Sequence, residues 1–301
     1  MVRRRAPAGQ PFSLLCPSIP SDYRRVDSEE SRTEGGWDAR SSQLQTLVHV
    51  TPVAPWLADA VSHASFGYVA LATVLWFAAI YTLIAGGAFV FAVERLPGAV
   101  AAPGGLPQRM RAGQVGRELW LSAASILVFA AQATVLLWIL RRGWLAIAWD
   151  RPVWYLIWEM PVLYVWNEVH FFVVHRLLHV GPLYRRIHVW HHRSVVTTPF
   201  SAYSFHPIES FLLGSVMPLA LVFHAFSPWA LLGLTVMSLL LNVSGHLPHE
   251  CVRPLFRFAI PHSRYHNRHH REFDTHFGFS FPPLDYWCGR TSHQSTARPA
   301  A

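Results

Sequence analysis

The 301-residue sequence contains no lysine, and only 14% of its residues are charged. All 25 basic residues are therefore arginine, set against 17 acidic residues for a net charge of +8. Cysteine is scarce as well. Cys16, Cys251 and Cys288 are too few and too widely spaced for a disulfide framework or a cysteine-rich zinc ribbon. Charge is missing altogether from two long stretches, Ala60 to Val93 and Leu119 to Leu140. Each exceeds the roughly 20 residues that cross a bilayer core. With 52% hydrophobic residues, these runs exclude an ordinary soluble enzyme and predict membrane-crossing helices. No G-x-G-x-x-G or C-x-x-C fingerprint supplies a flavin, nicotinamide or iron–sulfur module. Nucleic acid is not an expected partner either, because the arginines cluster at span ends.

The rest of the chain can be divided on the same grounds. Residues 1–59 are rich in Arg, Ser, Pro, Gly and acidic side chains, and predict a disordered tail. No apolar stretch follows Arg3, Arg4 and Arg5, so a cleavable secretion signal is not expected. Residues 60–149 carry the first two spans, joined by a Pro- and Gly-containing loop from Arg95 to Arg117. A third span is expected from about Pro152 to Val174, although it contains Glu159 and Glu168. Such acids are costly in a bilayer unless they face protein, water or a metal site. Two further helices, Ile208 to Phe226 and Pro228 to Gly245, predict a hairpin that leaves one membrane face and returns to it. Residues 150–290 form the expected catalytic domain, and 291–301 a flexible tail.

What the chain does have is histidine, 18 of them, in three ordered clusters. They are HRLLH (His175, His179), HVWHH (His188, His191, His192) and HNRHH (His266, His269, His270). Residues at i, i+3 and i+4 share a helix face, so each cluster can present several imidazoles together. At this histidine frequency a chance H-x-x-H-H is expected roughly 0.06 times in the chain, yet it occurs twice. Neutral imidazole suits iron, zinc, copper and nickel alike. Eight of them exceed the four ligands of a closed structural zinc site and point to two ions with an open position. Iron is favoured, since nitrogen-rich ligation with open positions binds and reduces O2. Glu168, seven residues before His175, lies on nearly the same helix face and is a candidate acceptor for a ligand N–H. Arginines around the clusters, Arg176, Arg185, Arg186 and Arg193 with Arg253, Arg257, Arg264, Arg268 and Arg271, suit the cytoplasmic face by the positive-inside rule. The expected fold is all-α: a polytopic membrane helix bundle whose histidine-rich helical cap, on the cytosolic face, holds a dimetal site.

The stretch HRLLHVGPLYRRIHVWHHRSVVTTPFSAYSFHPIE, followed by a hairpin, SGHLPHE, HNRHH and FGFSFPPLDYWCG, resembles the fatty acid hydroxylase and sterol desaturase superfamily of integral-membrane di-iron oxidoreductases. The resemblance covers about residues 150–290. It implies two iron ions, O2 as co-substrate, and hydroxylation or desaturation of a sterol or fatty-acyl C–H bond. It also implies an external electron donor, cytochrome b5 or a ferredoxin with an NAD(P)H reductase. The ligand set carried over is His175, His179, His188, His191, His192, His266, His269 and His270, with His246, His262 and His206 as further candidates. Tyr265 stands where many relatives have a histidine, and residues 285–290 depart from the usual D-R-L-x-G-T. Carotenoid and ether-lipid hydroxylases of the same superfamily are rival readings. Outside it, a His-rich metal transporter would place its ligands at mid-span.

Overall fold

The computed structural model describes residues 55–95, 111–247, 262–273, 276–278, 280 and 283–288. The chain divides into two units, Met1–His49 and Val50–Ala301, and all described residues lie in the second. The expected tails, 1–59 but for its last residues and 291–301, fall outside them.

Every regular element among the described residues is helical. A short α1 (Pro55–His63) precedes α2 (Phe66–Tyr81), which Ser65 opens by accepting the Tyr68 backbone N–H. A π-turn, Thr82–Gly86, joins α2 to α3 (Gly87–Arg95). The long α4 (Gln114–Arg141) takes in the last four residues of the loop expected from sequence. Gly113, at φ 75°, makes the turn into it. Next come α5 (Leu156–Leu178), the three-residue α6 (Gly181–Leu183), a π-turn Tyr184–His188 and the single turn α7 (Val189–His192). The hairpin consists of α8 (Pro207–Gly214), α9 (Val216–Phe223) and α10 (Pro228–His246). Pro218 has no N–H to return to the Gly214 carbonyl, which accounts for the break between α8 and α9. Ser227 caps α10 through the Ala230 N–H, with Pro228 at its first position. Then follow α11 (His262–Glu272) and α12 (Pro283–Cys288).

Among the described residues, three stretches are long and apolar enough to cross a membrane: Phe66–Phe91, Gln114–Arg141 and Pro228–His246. Their outward side chains are lipid-like: Leu71, Leu83 and Leu127 are 57%, 74% and 61% exposed, which water would penalise. The third expected span is α5, which is less apolar on average for a structural reason. Its exposed stripe is Ile157, Val162, Val165, Val169 and Val173, whereas Glu159, Asn167, Glu168 and His170 are all buried against the other helices. Charged and polar groups thus face inward, as a lipid solvent requires.

Packing fixes the two ends of the bundle. Between them, Tyr81 of α2 stacks on Tyr203 at 5.5 Å, and Phe129 of α4 meets the same ring edge-on at 5.4 Å. At one end Glu159 accepts from Arg151 Nη1 (2.6 Å) and from the backbone N–H and hydroxyl of Ser227 at the hairpin turn. Arg151 also meets His224 Nε2 at 2.7 Å, so the hairpin turn is anchored by a buried polar cluster. The other end gathers the last turn of α5, the first turns of α4 and α8, the end of α10, and α11.

Candidate metal centre

The histidines converge there in two groups. His175, His179, His188, His192 and His269 form one, and His191, His246, His266 and His270 the other. Within each, the ring nitrogens offered lie within 4.8 Å of one another. All but His179 are buried. The groups abut, with the His192 and His270 rings 4.7 Å apart.

Helix geometry explains how the boxes are shared. In HVWHH, His188 and His192 are four residues apart and share a face, while His191 points about 100° away from His192. The i,i+4 pair enters the first group and His191 the second. HNRHH does the reverse: His266 and His270 enter the second group and His269 the first. Each H-x-x-H-H box therefore serves both groups reciprocally. The first is completed by the i,i+4 pair His175 and His179 at the end of α5, the second by His246 at the end of α10.

The nitrogens face one another as ligands of a common cation would. His192 Nε2 lies 3.1 Å from His188 Nε2 and 3.2 Å from His269 Nε2. In the second group His246 Nε2 is 3.4 Å from His191 Nε2 and 3.1 Å from His266 Nε2, and His270 Nε2 is 3.2 Å from His266 Nε2. At a metal–nitrogen distance of about 2.1 Å, neighbouring nitrogens are about 3.0 Å apart in octahedral and about 3.4 Å in tetrahedral geometry.

Hydrogen bonds between the rings are a poorer account. His191 Nδ1 faces the Ser204 carbonyl (3.3 Å) and His246 Nδ1 the Asn242 carbonyl (2.7 Å). A carbonyl only accepts, so both Nδ1 atoms carry the proton and both Nε2 atoms are lone pairs. Two lone pairs at 3.4 Å repel unless a cation lies between them. In the first group His175 Nδ1 donates to the Phe277 carbonyl (2.8 Å), which likewise frees its Nε2. His179 Nε2 is buried without a hydrogen-bond partner among the described residues. Burial, followed by the charge of neighbouring rings, holds His188, His191, His192, His266 and His270 well below the ordinary imidazole value of 6.5. The rings are therefore neutral, the form that binds metal, and the donor set fits a pair of ions.

The remaining candidates are placed differently. His206 belongs to neither group: its Nδ1 accepts the Ile208 N–H and caps α8, and its ring packs on Trp190 at 5.0 Å. His262 opens α11, and its side chain is outside the described residues. Glu168 is buried, and its Oε2 accepts the Ser280 backbone N–H at 2.8 Å. Tyr265, at the departure noted in the third box, stacks on His276 at 4.7 Å.

Several positioning residues carry no sequence spacing that would reveal them. One is Glu209, whose Oε1 is 2.7 Å from His188 Nδ1. Asn267, inside the third box, donates to the Leu247 and Gly245 carbonyls (2.9 and 3.3 Å), which ties α11 to the end of α10. Asp285 accepts the Phe277 and Gly278 N–H groups at 2.8 Å each. It thereby holds the segment whose carbonyl orients His175.

A cavity of about 130 Å³ runs into the bundle below the histidines. Its walls include Phe77, Phe129, Leu136, Met217 and Leu234, and none of the described residues that line it is acidic or arginine. Four of its lining residues, Phe171, Phe205, Leu213 and Asn242, also line a small void shared with His175, His188, His191 and His266. The cavity is thus separated from the void beside the imidazole groups by no more than these shared wall residues.

Residues 160–290 match the fatty acid hydroxylase family. Over 109 residues the chain is 31% identical to lathosterol oxidase of Rattus norvegicus, and 30% identical to lathosterol oxidase of Mus musculus. Each match covers 35% of this chain and 36% of the relative, so the chain spans about a third of the length of these curated relatives. No solved structure matches the chain.

Proposed function

We propose, from the premise that residues 160–290 belong to the fatty acid hydroxylase and sterol desaturase superfamily, that this membrane oxidoreductase uses O2 and two iron ions to hydroxylate or desaturate a sterol or fatty-acyl lipid. The observation that carries the reading is the pair of facing imidazole groups at the head of an apolar cavity. His175, His179, His188, His192 and His269 hold one ion, and His191, His246, His266 and His270 the other. Two iron ions held there supply O2 activation and hydrogen removal from an unactivated C–H bond.

The chain's own residues do the rest. Glu209 keeps the His188 Nδ1 proton in place, and the Phe277, Ser204 and Asn242 carbonyls do the same for His175, His191 and His246, so each Nε2 is presented as a lone pair. The cavity wall of Phe171, Phe205 and Leu213 excludes water and favours an uncharged part of the substrate, because no arginine among the described residues lines it to receive a carboxylate or phosphate. Electrons arrive from a separate acidic partner, cytochrome b5 or a ferredoxin. Exposed Arg176, Arg185, Arg186 and Arg193 surround the first two boxes and would attract it.

The same arginines set the orientation. The end with the boxes carries these four and Arg117, Arg268 and Arg271, against Arg141, Arg142 and Arg151 at the other. The excess supports a cytoplasmic position for the boxes. Glu159 and His175 are 16 residues apart on α5, about 24 Å along its axis. That distance fits α5 to a multi-pass bundle.

The test is lipid analysis of host membranes with and without the protein. A product shifted by one oxygen or by two hydrogens is expected. It should disappear in His191→Ala and His269→Ala, each of which removes one ligand from one group, while both variants still insert. Unchanged product in both variants refutes the assignment. Single-cysteine labelling beside Arg185 from the cytoplasmic side checks the orientation.

A further inference from the structure

Glu118 lies outside the region matched by the family, near the start of α4, and is fully buried. Its Oε1 accepts from Gln114 Nε2 (2.8 Å), Ser194 Oγ (2.6 Å) and Ser201 Oγ (3.0 Å), and its Oε2 from Thr198 Oγ1 (2.6 Å). These four donors are all neutral and occupy about as many sites as a carboxylate has lone pairs. Three of them come from one segment, residues 194–201, which leaves box two directly after His192 and Arg193.

That segment and its continuation reach the second imidazole group at two points, His191 and His246, and the helix that carries its other members at a third. Continuing from Ser201, it presents the Ser204 carbonyl to His191 Nδ1 at 3.3 Å. Thr197 Oγ1 meets the His246 carbonyl at 2.9 Å and also contacts Asn267 Oδ1 on α11. Gln114 adds a bond from its Nε2 to the Val196 carbonyl at 2.7 Å. Apart from the short 3-10 turn Pro199–Tyr203, the segment has no regular backbone ladder to fix it, so side-chain anchors set its course. Among the described residues the first group is met instead by Glu209, at His188, and by the Phe277 carbonyl, at His175.

We propose that Glu118 is a positioning residue for the second metal group, acting through residues 194–204 on His191 and His246. The inference rests on the dimetal reading above. A carboxylate is required because only an acceptor with two oxygens can take all four donors. Glutamine has one carbonyl oxygen, and its NH2 would face at least one hydroxyl committed elsewhere.

The test uses the full-length, iron-loaded protein in detergent, with iron release followed against increasing chelator. The wild type is expected to hold two ions per chain. In Glu118→Gln one of them should leave at about 10- to 100-fold lower chelator concentration, the usual cost of losing an outer-shell partner, while the other is unchanged. Glu118→Asp should restore part of the loss. Thr197→Val, which keeps the carboxylate but cuts the link to His246, should weaken the same single ion, and it decides the matter if Glu118→Gln does not fold. Release of both ions at wild-type concentrations, or equal weakening of both, overturns the proposal. A wild type that holds no iron instead overturns the dimetal reading itself.

Discussion

The histidine boxes were legible because helix periodicity is local: spacings of three and four residues put rings on one face whatever surrounds them. The partners of those rings were not, because they are long-range. Glu209 is 21 residues from His188 and reaches it only through the fold of the intervening segment. Glu168, on the right helical face by spacing, holds a backbone N–H of the segment that returns to His175. His206 had a readable alternative, since a polar residue followed by proline at the first helical position is a capping pattern. We expect Glu209→Gln to lower iron retention at the first ion by about 10- to 100-fold, because an amide holds the His188 tautomer less firmly than a carboxylate. Chelator titration beside the wild type is the check, and an unchanged profile would deny Glu209 this role.

At the scale of elements, the two uncharged runs and the acid-bearing third helix were readable from composition, and so was the hairpin. The break between α8 and α9 at Ser215 was not foreseen, although Pro218 signals it. Nor was the anchoring of the hairpin turn by Glu159 and Arg151, whose partners are remote in sequence. Removing one member of a buried ion pair costs on the order of 3–5 kcal/mol, since it strands the other. Glu159→Ala should accordingly lower the thermal midpoint in detergent clearly. Because Glu159 and His175 lie at opposite ends of α5, the folded fraction should keep its full iron content. Loss of iron without loss of thermal stability would contradict this separation of anchor and site.

For the whole molecule, the pH response follows from the buried rings. His188, His191, His192, His266 and His270 have folded values well below 6.5. In the unfolded chain they take up protons as pH falls through about 6.5, while in the folded chain they do not. The unfolded state then binds more protons, so stability declines as pH drops below that value. Bound ions act with the same sign, because protons compete for the same lone pairs. Chelator-stripped protein should show a lower thermal midpoint than loaded protein at pH 7.5, and both should fall steeply by pH 5.5. A midpoint that holds steady or rises over that range would show that the rings are not sequestered as neutral groups.

The reciprocal sharing of the two boxes has one further consequence. His191–His192 and His269–His270 are adjacent residues on two different helices, and each pair straddles both clusters. Two ions held there would have their spacing gauged twice by covalent backbone, like a plank nailed at both ends. A change of bound molecule or oxidation state should then leave the separation of the two imidazole groups nearly constant.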